Sequence, residues 1–121
     1  MDELIKIAKA LSDKNRVRIL KMLEIKPLCV CEITDILGIA TSTASSHLSF
    51  LKDAGFIIDQ KDGKWINYCL IDEPKSEIAK EMLALMPHWL SEDKQIIEDL
   101  EKIKIVDRYV ITLSIPKAEV V

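Results

Sequence analysis

The run Leu28-Cys29-Val30-Cys31-Glu32-Ile33 leads through Leu37-Gly38-Ile39 into Ala40-Thr41-Ser42-Thr43-Ala44-Ser45-Ser46-His47-Leu48, with Ala54-Gly55-Phe56 behind it. These residues decide the fold. Ala44, Leu48 and Leu51 recur at i, i+4 and i+7, the buried stripe of one helix. Gly38 takes the left-handed conformation that ends a short helix expected over residues 32–37. Helix, tight turn, helix is the arrangement in which the second helix enters the DNA major groove. Two thiols one residue apart stand in front of it, which suggests a sensor joined to a DNA-reading unit.

Toward the N-terminus, Leu4, Ile5, Ile7, Ala8 and Leu11 keep helical spacing and predict a helix over about residues 2–11. Ser12 and Asp13 are cap residues for a second helix carrying Val17, Leu20 and Leu23 on one stripe, which Pro27 ends. Beyond Gly55 the period changes from helical to alternating. Phe56-Ile57-Ile58-Asp59-Gln60-Lys61 and Lys64-Trp65-Ile66-Asn67-Tyr68-Cys69-Leu70 flank Asp62-Gly63, a strong hairpin signal. Lys61 and Lys64 make its tip basic, the form of a wing that touches the DNA backbone or minor groove. Pro74 suits the start of another apolar helix, and Ser91 is the expected cap of a last one reaching Val106 with Ile96, Ile97, Leu100 and Ile103 on its apolar side. The expected fold is therefore mostly α with a β-hairpin, a winged helix-turn-helix over residues 1–106. The tail over 107–121 alternates at Ile111, Leu113 and Ile115, which leaves open an added strand or a mobile end.

The 121 residues fit one domain, and 49% apolar content indicates a globular chain. The net charge of −3 is unevenly spread. Residues 1–70 hold ten Lys/Arg against nine Asp/Glu, a balance of +1, and residues 71–121 hold seven against eleven, a balance of −4. The acidity thus lies away from the reading helix, and phosphate affinity follows local charge. No signal peptide or membrane-length apolar run is evident, so the three cysteines are read as reduced thiols of a cytoplasmic protein with no membrane partner. No nucleophile–base pairing is visible, and three glycines leave little room for a phosphate-binding loop, so an enzyme is not expected.

Over about residues 4–72 the chain resembles the ArsR/SmtB family of metal-responsive winged-helix repressors. Leu11-Ser12-Asp13-Lys14-Asn15-Arg16-Val17-Arg18-Ile19-Leu20 resembles the family's second-helix signature, and Leu28-Cys29-Val30-Cys31-Glu32-Ile33 the metal box of its arsenic- and cadmium-sensing branches. Residues 37–48 resemble its reading helix, and Asp62-Gly63-Lys64-Trp65 through Tyr68 its wing. The resemblance implies a homodimer on palindromic operator DNA, built on the first and C-terminal helices, that represses a resistance operon until metal binds. Four positions depart from the pattern. Ala40 replaces a capping Ser, so Thr41 is expected to cap; Ser46 stands where a basic or longer polar residue is common; Thr34 stands where some arsenic sensors carry a third box cysteine. His88 is the one histidine of the C-terminal region, so the helical site of the zinc-sensing branch is not carried over.

The implied inducer is arsenite or antimonite, with cadmium, lead or zinc as other thiophilic ions, and no organic cofactor. An extended i, i+2 pair projects Cys29 and Cys31 to one side, and a helix N-terminus lowers thiol pKa toward the thiolate that binds soft metals. A third sulfur completes the trigonal site that the resemblance implies for arsenite, and Cys69 is its candidate if residues 28–30 pair with residues 67–70. The plainer reading of Cys69 is a half-buried strand residue. Thr41, Ser42, Thr43, Ser45 and Ser46 put five hydroxyls in six residues, suited to phosphate hydrogen bonds and close approach to bases. His47 is a DNA contact by family position, or else a histidine packed on a neighbour. With Lys61 and Lys64 these form the expected DNA face. A redox- or persulfide-sensing repressor using the same cysteines is the alternative.

Overall fold

The computed structural model describes residues 1–106 together with Arg108 and Ile111. Helices α1 (Asp2–Ala10) and α2 (Lys14–Leu23) lead into a short strand β1 (Leu28–Cys29). Helices α3 (Val30–Leu37) and α4 (Thr41–Asp53) follow, then strands β2 (Ile57–Asp62) and β3 (Trp65–Leu70). Helix α5 (Glu77–Leu85) runs into a 3-10 turn (Met86–His88), and α6 (Lys94–Ile105) follows. The strands form one antiparallel sheet in the order β1-β3-β2. This is the winged helix-turn-helix expected from the sequence. The alternating pattern over 107–121 lies, Arg108 and Ile111 apart, outside the described residues.

Local chemistry explains the boundaries. Asp13 Oδ1 accepts from Asn15 N–H at 2.8 Å and Arg16 N–H at 3.1 Å, tying off two donors that open α2. Gly38 (φ 68°) ends α3 in the left-handed region, so α4 can turn across it. Ala44, Leu48 and Leu51 of α4 meet Ile19, Leu20, Ile33 and Phe56 in one core. Phe56 is fully buried, worth about 1.5–3 kcal/mol of transfer free energy.

Several boundaries differ from expectation. α3 starts at Val30, two residues early, because Cys29 serves as its cap. α2 ends at Leu23, ahead of Pro27, in a turn closed by Ile25 N–H donating to the Met22 carbonyl at 3.0 Å. Thr41 does not cap α4; Ala40 holds that position with no side-chain bond, and Thr41 is the first helical residue. The hairpin turn is centred on Gly63-Lys64, with Asp62 paired to Trp65; positive φ at Gly63 alone matches a type II′ turn. Ser76, not the region of Pro74, caps α5 by accepting from Ala79 N–H at 3.1 Å. Asp93, not Ser91, caps α6, because a turn closed by Asp93 N–H on the Leu90 carbonyl takes up the preceding residues.

The apolar side of α6 is also rearranged. Ile97 faces out, while Asp99 is fully buried beside Ile96 and Ile103. A buried carboxylate needs a cation. Arg18 of α2 supplies it, with Nε on Oδ2 at 2.8 Å and Nη2 on Oδ1 at 2.9 Å. Gln95 adds a third bond at 2.9 Å. Lys21, also buried, donates to the Met86 carbonyl at 2.9 Å and holds the α5–α6 connection against α2. Among the described residues, no helix is long and apolar enough to cross a membrane.

Candidate functional site

Cys29 sits where β1 becomes α3. Its N–H donates to Glu32 Oε1 at 3.0 Å, and its sulfur faces the Glu32 N–H, a capping box with sulfur in the place of a hydroxyl. Cys31 lies in the first turn of α3, half-buried, close enough for its thiol to act on that of Cys29. The two sulfurs are therefore adjacent, but through a strand-to-helix turn rather than along an extended pair.

The proton balance at Cys29 runs against the sequence expectation. Burial, at 3% exposure, is the largest influence, and the neighbouring Cys31 thiol and Glu32 carboxylate add to it. The Glu32 N–H at the helix start pulls the other way and loses, so the Cys29 thiol is pushed up to about 12. A buried, protonated thiol is a poor nucleophile toward oxidants. Burial followed by the charge of Asp72 also raises Cys69.

The strand pairing expected between residues 28–30 and the end of the wing is present, with Leu28 opposite Tyr68 and Cys29 opposite Asn67. Cys69 lies two residues past Asn67, on the same face of β3 by strand alternation, diagonal to Cys29 rather than facing it. Its partner in β2 is Ile58. Among the described residues, no group of three or more His, Cys, Asp or Glu side chains is gathered closely enough to hold a metal ion. The structure thus brings Cys29 and Cys31 together and leaves Cys69 a register step away.

The face of α4 opposite its buried stripe is open. Thr41, Ser42, Thr43, Ser45 and Ser46 are all exposed, as are Lys61 and Lys64 at the wing tip. Lys64 lies over the Trp65 ring at 5.1 Å. His47 differs: its side chain is 14% exposed, Nδ1 meets Arg16 Nη1 at 3.3 Å, and Nε2 points to Asp13 Oδ1 at 4.0 Å. Arg16 also donates to the Lys9 and Ala10 carbonyls at 2.7 and 3.0 Å and stacks 4.2 Å from the Phe50 ring. One guanidinium so fastens α1, α2 and α4 together. Burial raises the Asp13 carboxyl, but bonds from Arg16 and Asn15 N–H and the charges of His47 and Arg16 outweigh it and hold it below the usual carboxylate range.

Sequence reasoning missed two groups at this site. Glu32 is buried beside the Cys29 N–H that it accepts from, and Arg108 Nη2 reaches its Oε1 at 2.9 Å from beyond the end of α6. The sequence signal for Glu32 was its position three residues after a helix cap; nothing local marks Arg108 as its partner.

Among known proteins, a family model described as bacterial regulatory protein, arsR family, matches residues 13–59. A cadmium resistance transcriptional regulatory protein CadC homolog of Staphylococcus aureus is 41% identical over 76 residues, 62% of this chain and 63% of that one. The chain thus spans under two thirds of that relative. The arsenic resistance transcriptional regulator ArsR1 of Pseudomonas putida is 32% identical over 91 residues, covering 72% of this chain and 71% of that one. A similar solved structure, at TM-score 0.60 and 26% identity, covers 72% of this chain and 77% of the other. It is the homodimeric winged helix-turn-helix DNA-binding domain of a possible ArsR-family transcriptional regulator from Mycobacterium bovis.

Proposed function

This chain belongs to the ArsR family of winged helix-turn-helix transcriptional regulators, and from that premise we propose that it is a homodimeric repressor released from palindromic operator DNA by a thiophilic metal or metalloid, arsenite foremost, at Cys29 and Cys31. The observation that carries the reading is the neighbouring Cys29–Cys31 thiol pair at the start of α3, the helix that packs on α4. Two adjacent soft sulfurs fit a thiophilic ion, and such an ion when bound keeps both thiols as thiolates. Cys69, on the same face of β3, is the proposed third donor. Relatives named for arsenic and for cadmium resistance support this inducer class.

The rest follows from the chain itself. The exposed hydroxyls of Thr41, Ser42, Thr43, Ser45 and Ser46 lie along α4 for the major groove, with His47 at the edge of that face, and Lys61 and Lys64 supply phosphate contacts from the wing. Exposed Leu4 and Ile5 on α1, and Ile97 and Ile105 on α6, are apolar surface that a second copy would cover. Cys29 caps α3, so drawing its sulfur out of the capping box unravels the first turn of that helix. α3 packs on α4, and this shift changes the spacing of the paired reading helices. That spacing must match half-sites about one helical turn apart. A coupling of about 1–3 kcal/mol, a factor of roughly 5–150, suffices to empty an operator.

The test uses operator DNA selected by the protein itself, followed by anisotropy under reducing conditions. Arsenite, antimonite or Cd²⁺ should release the wild type. Cys29→Ser and Cys31→Ser should bind DNA normally and not be released. X-ray absorption should count three sulfurs in the wild type and two in Cys69→Ser. Full release of the Cys29→Ser, Cys31→Ser double variant would overturn the assignment, and release by oxidants alone would favour the redox alternative.

A further inference from the structure

Glu32 carries the densest set of bonds around the thiols. Its Oε1 accepts from Cys29 N–H at 3.0 Å and from Arg108 Nη2 at 2.9 Å. The same Nη2 donates to Asn67 Oδ1 at 2.7 Å. Asn67 is the residue opposite Cys29 in the β1–β3 register. The guanidinium also lies 5.3 Å from the Trp65 ring centroid. One side chain from beyond α6 so touches the first turn of α3 and two residues of the wing strand. Glu32 is 4% exposed, and a carboxylate at that depth is held only with a cation beside it.

We infer that Arg108 is a positioning residue for the thiol pair: through Glu32 it holds Cys29 in its buried cap position, and through Asn67 and Trp65 it ties that position to the wing. The inference deepens the reading of Cys29 and Cys31 as the sensor, although its first test stands without that reading. A reagent or ion reaches the Cys29 sulfur only when the first turn of α3 opens. The Arg108–Glu32 bond opposes that opening. Because the same nitrogen holds Asn67, opening at the thiols also slackens the wing strand, a route from sensor to DNA separate from the α3–α4 contact.

The first test is alkylation of the native protein by iodoacetamide, read at the Cys29 peptide by mass spectrometry, with the urea unfolding midpoint of each variant as the control for global loss of stability. Arg108→Ala should speed Cys29 modification roughly tenfold under conditions where both proteins are fully folded. Arg108→Lys keeps a cation on Glu32 and should restore most of the protection. An unchanged Cys29 rate, or a rise no larger than the fall in global stability accounts for, would overturn the inference. The second test compares Cd²⁺ affinity of free and DNA-bound protein. Asn67→Ala leaves the Glu32–Arg108 pair in place, so Cd²⁺ affinity without DNA should stay within about twofold while the free-to-bound ratio falls several-fold. An unchanged ratio would remove the wing arm. Cys29 rates that respond to Arg108 in a protein insensitive to Cd²⁺ and arsenite would support the positioning role and refute the sensor reading.

Discussion

Arg18→Met tests whether the last helix is held to the winged core by charge. The guanidinium grips Asp99 with two bonds of 2.8 and 2.9 Å, and the side chains are 18% and 0% exposed. Removing Arg18 leaves a fully buried carboxylate with the Gln95 amide as its remaining hydrogen bond. Breaking one side of a buried pair costs about 3–5 kcal/mol, and the partial exposure of Arg18 places this case near 3 kcal/mol. At about 2.1 cal/mol/K of unfolding entropy per residue, a chain of this length should melt about 12 °C lower. Replacing both partners, Arg18→Met with Asp99→Leu, leaves no unpaired charge and should fall within about 1 kcal/mol of wild type. The assay is thermal unfolding by far-UV circular dichroism at fixed protein and salt concentration, since dimerisation makes the midpoint concentration-dependent. A drop under about 4 °C for Arg18→Met, or a double variant as unstable as the single one, would refute the reasoning.

Other outcomes follow from single interactions. Asp13→Ala removes the α2 cap and should cost about 1 kcal/mol near neutral pH. The folded carboxyl titrates below its ordinary 3.8, so that stabilisation is present above this value and fades as pH falls through the lower one. Urea midpoints of the two proteins should converge as pH falls below 3.8 and through the lowered folded value, and a constant gap would contradict the assigned cap. Burial pushes the folded Cys29 thiol up to about 12 against 9.0 ordinarily, so its protonated form stabilises the fold fully below the lower value and progressively less as pH rises toward the higher one. Wild type should therefore lose more stability than Cys29→Ala between about pH 8 and about pH 10, and equal losses would show that the thiol is not held protonated. Lys61→Ala and Lys64→Ala should weaken binding to every duplex alike and lower the salt slope by about 0.9 for each phosphate left without its lysine. Salt titrations with unchanged slopes would take the hairpin off the DNA.

The sequence alone settled much of what rests on neighbours a few residues apart, although the caps of α4 and α6 fell on Ala40 and Asp93 instead of Thr41 and Ser91. Helical stripes such as Ala44, Leu48 and Leu51, the Asp13 cap, the Gly38 stop and the glycine turn of the wing follow from backbone sterics and short-range hydrogen bonds, which repeat wherever those residue types occur. The order of the motifs then placed two thiols ahead of a reading helix, and the family followed. Tertiary structure decided the rest, because those outcomes depend on groups far apart in the chain. Asp99, which the apolar stripe of α6 did not include, takes a buried position beside Ile96 and Ile103 because Arg18, 81 residues away, neutralises it. His47 turns toward Arg16, 31 residues away. Cys29 keeps its proton because folding buries it against Cys31 and Glu32, and the helix terminus alone cannot offset that burial. Cys69 falls diagonal to Cys29 because strand register, set by packing across β1 and β3, puts Asn67 opposite instead. Arg108 finds Glu32, 76 residues away, only once α6 has docked beside α3.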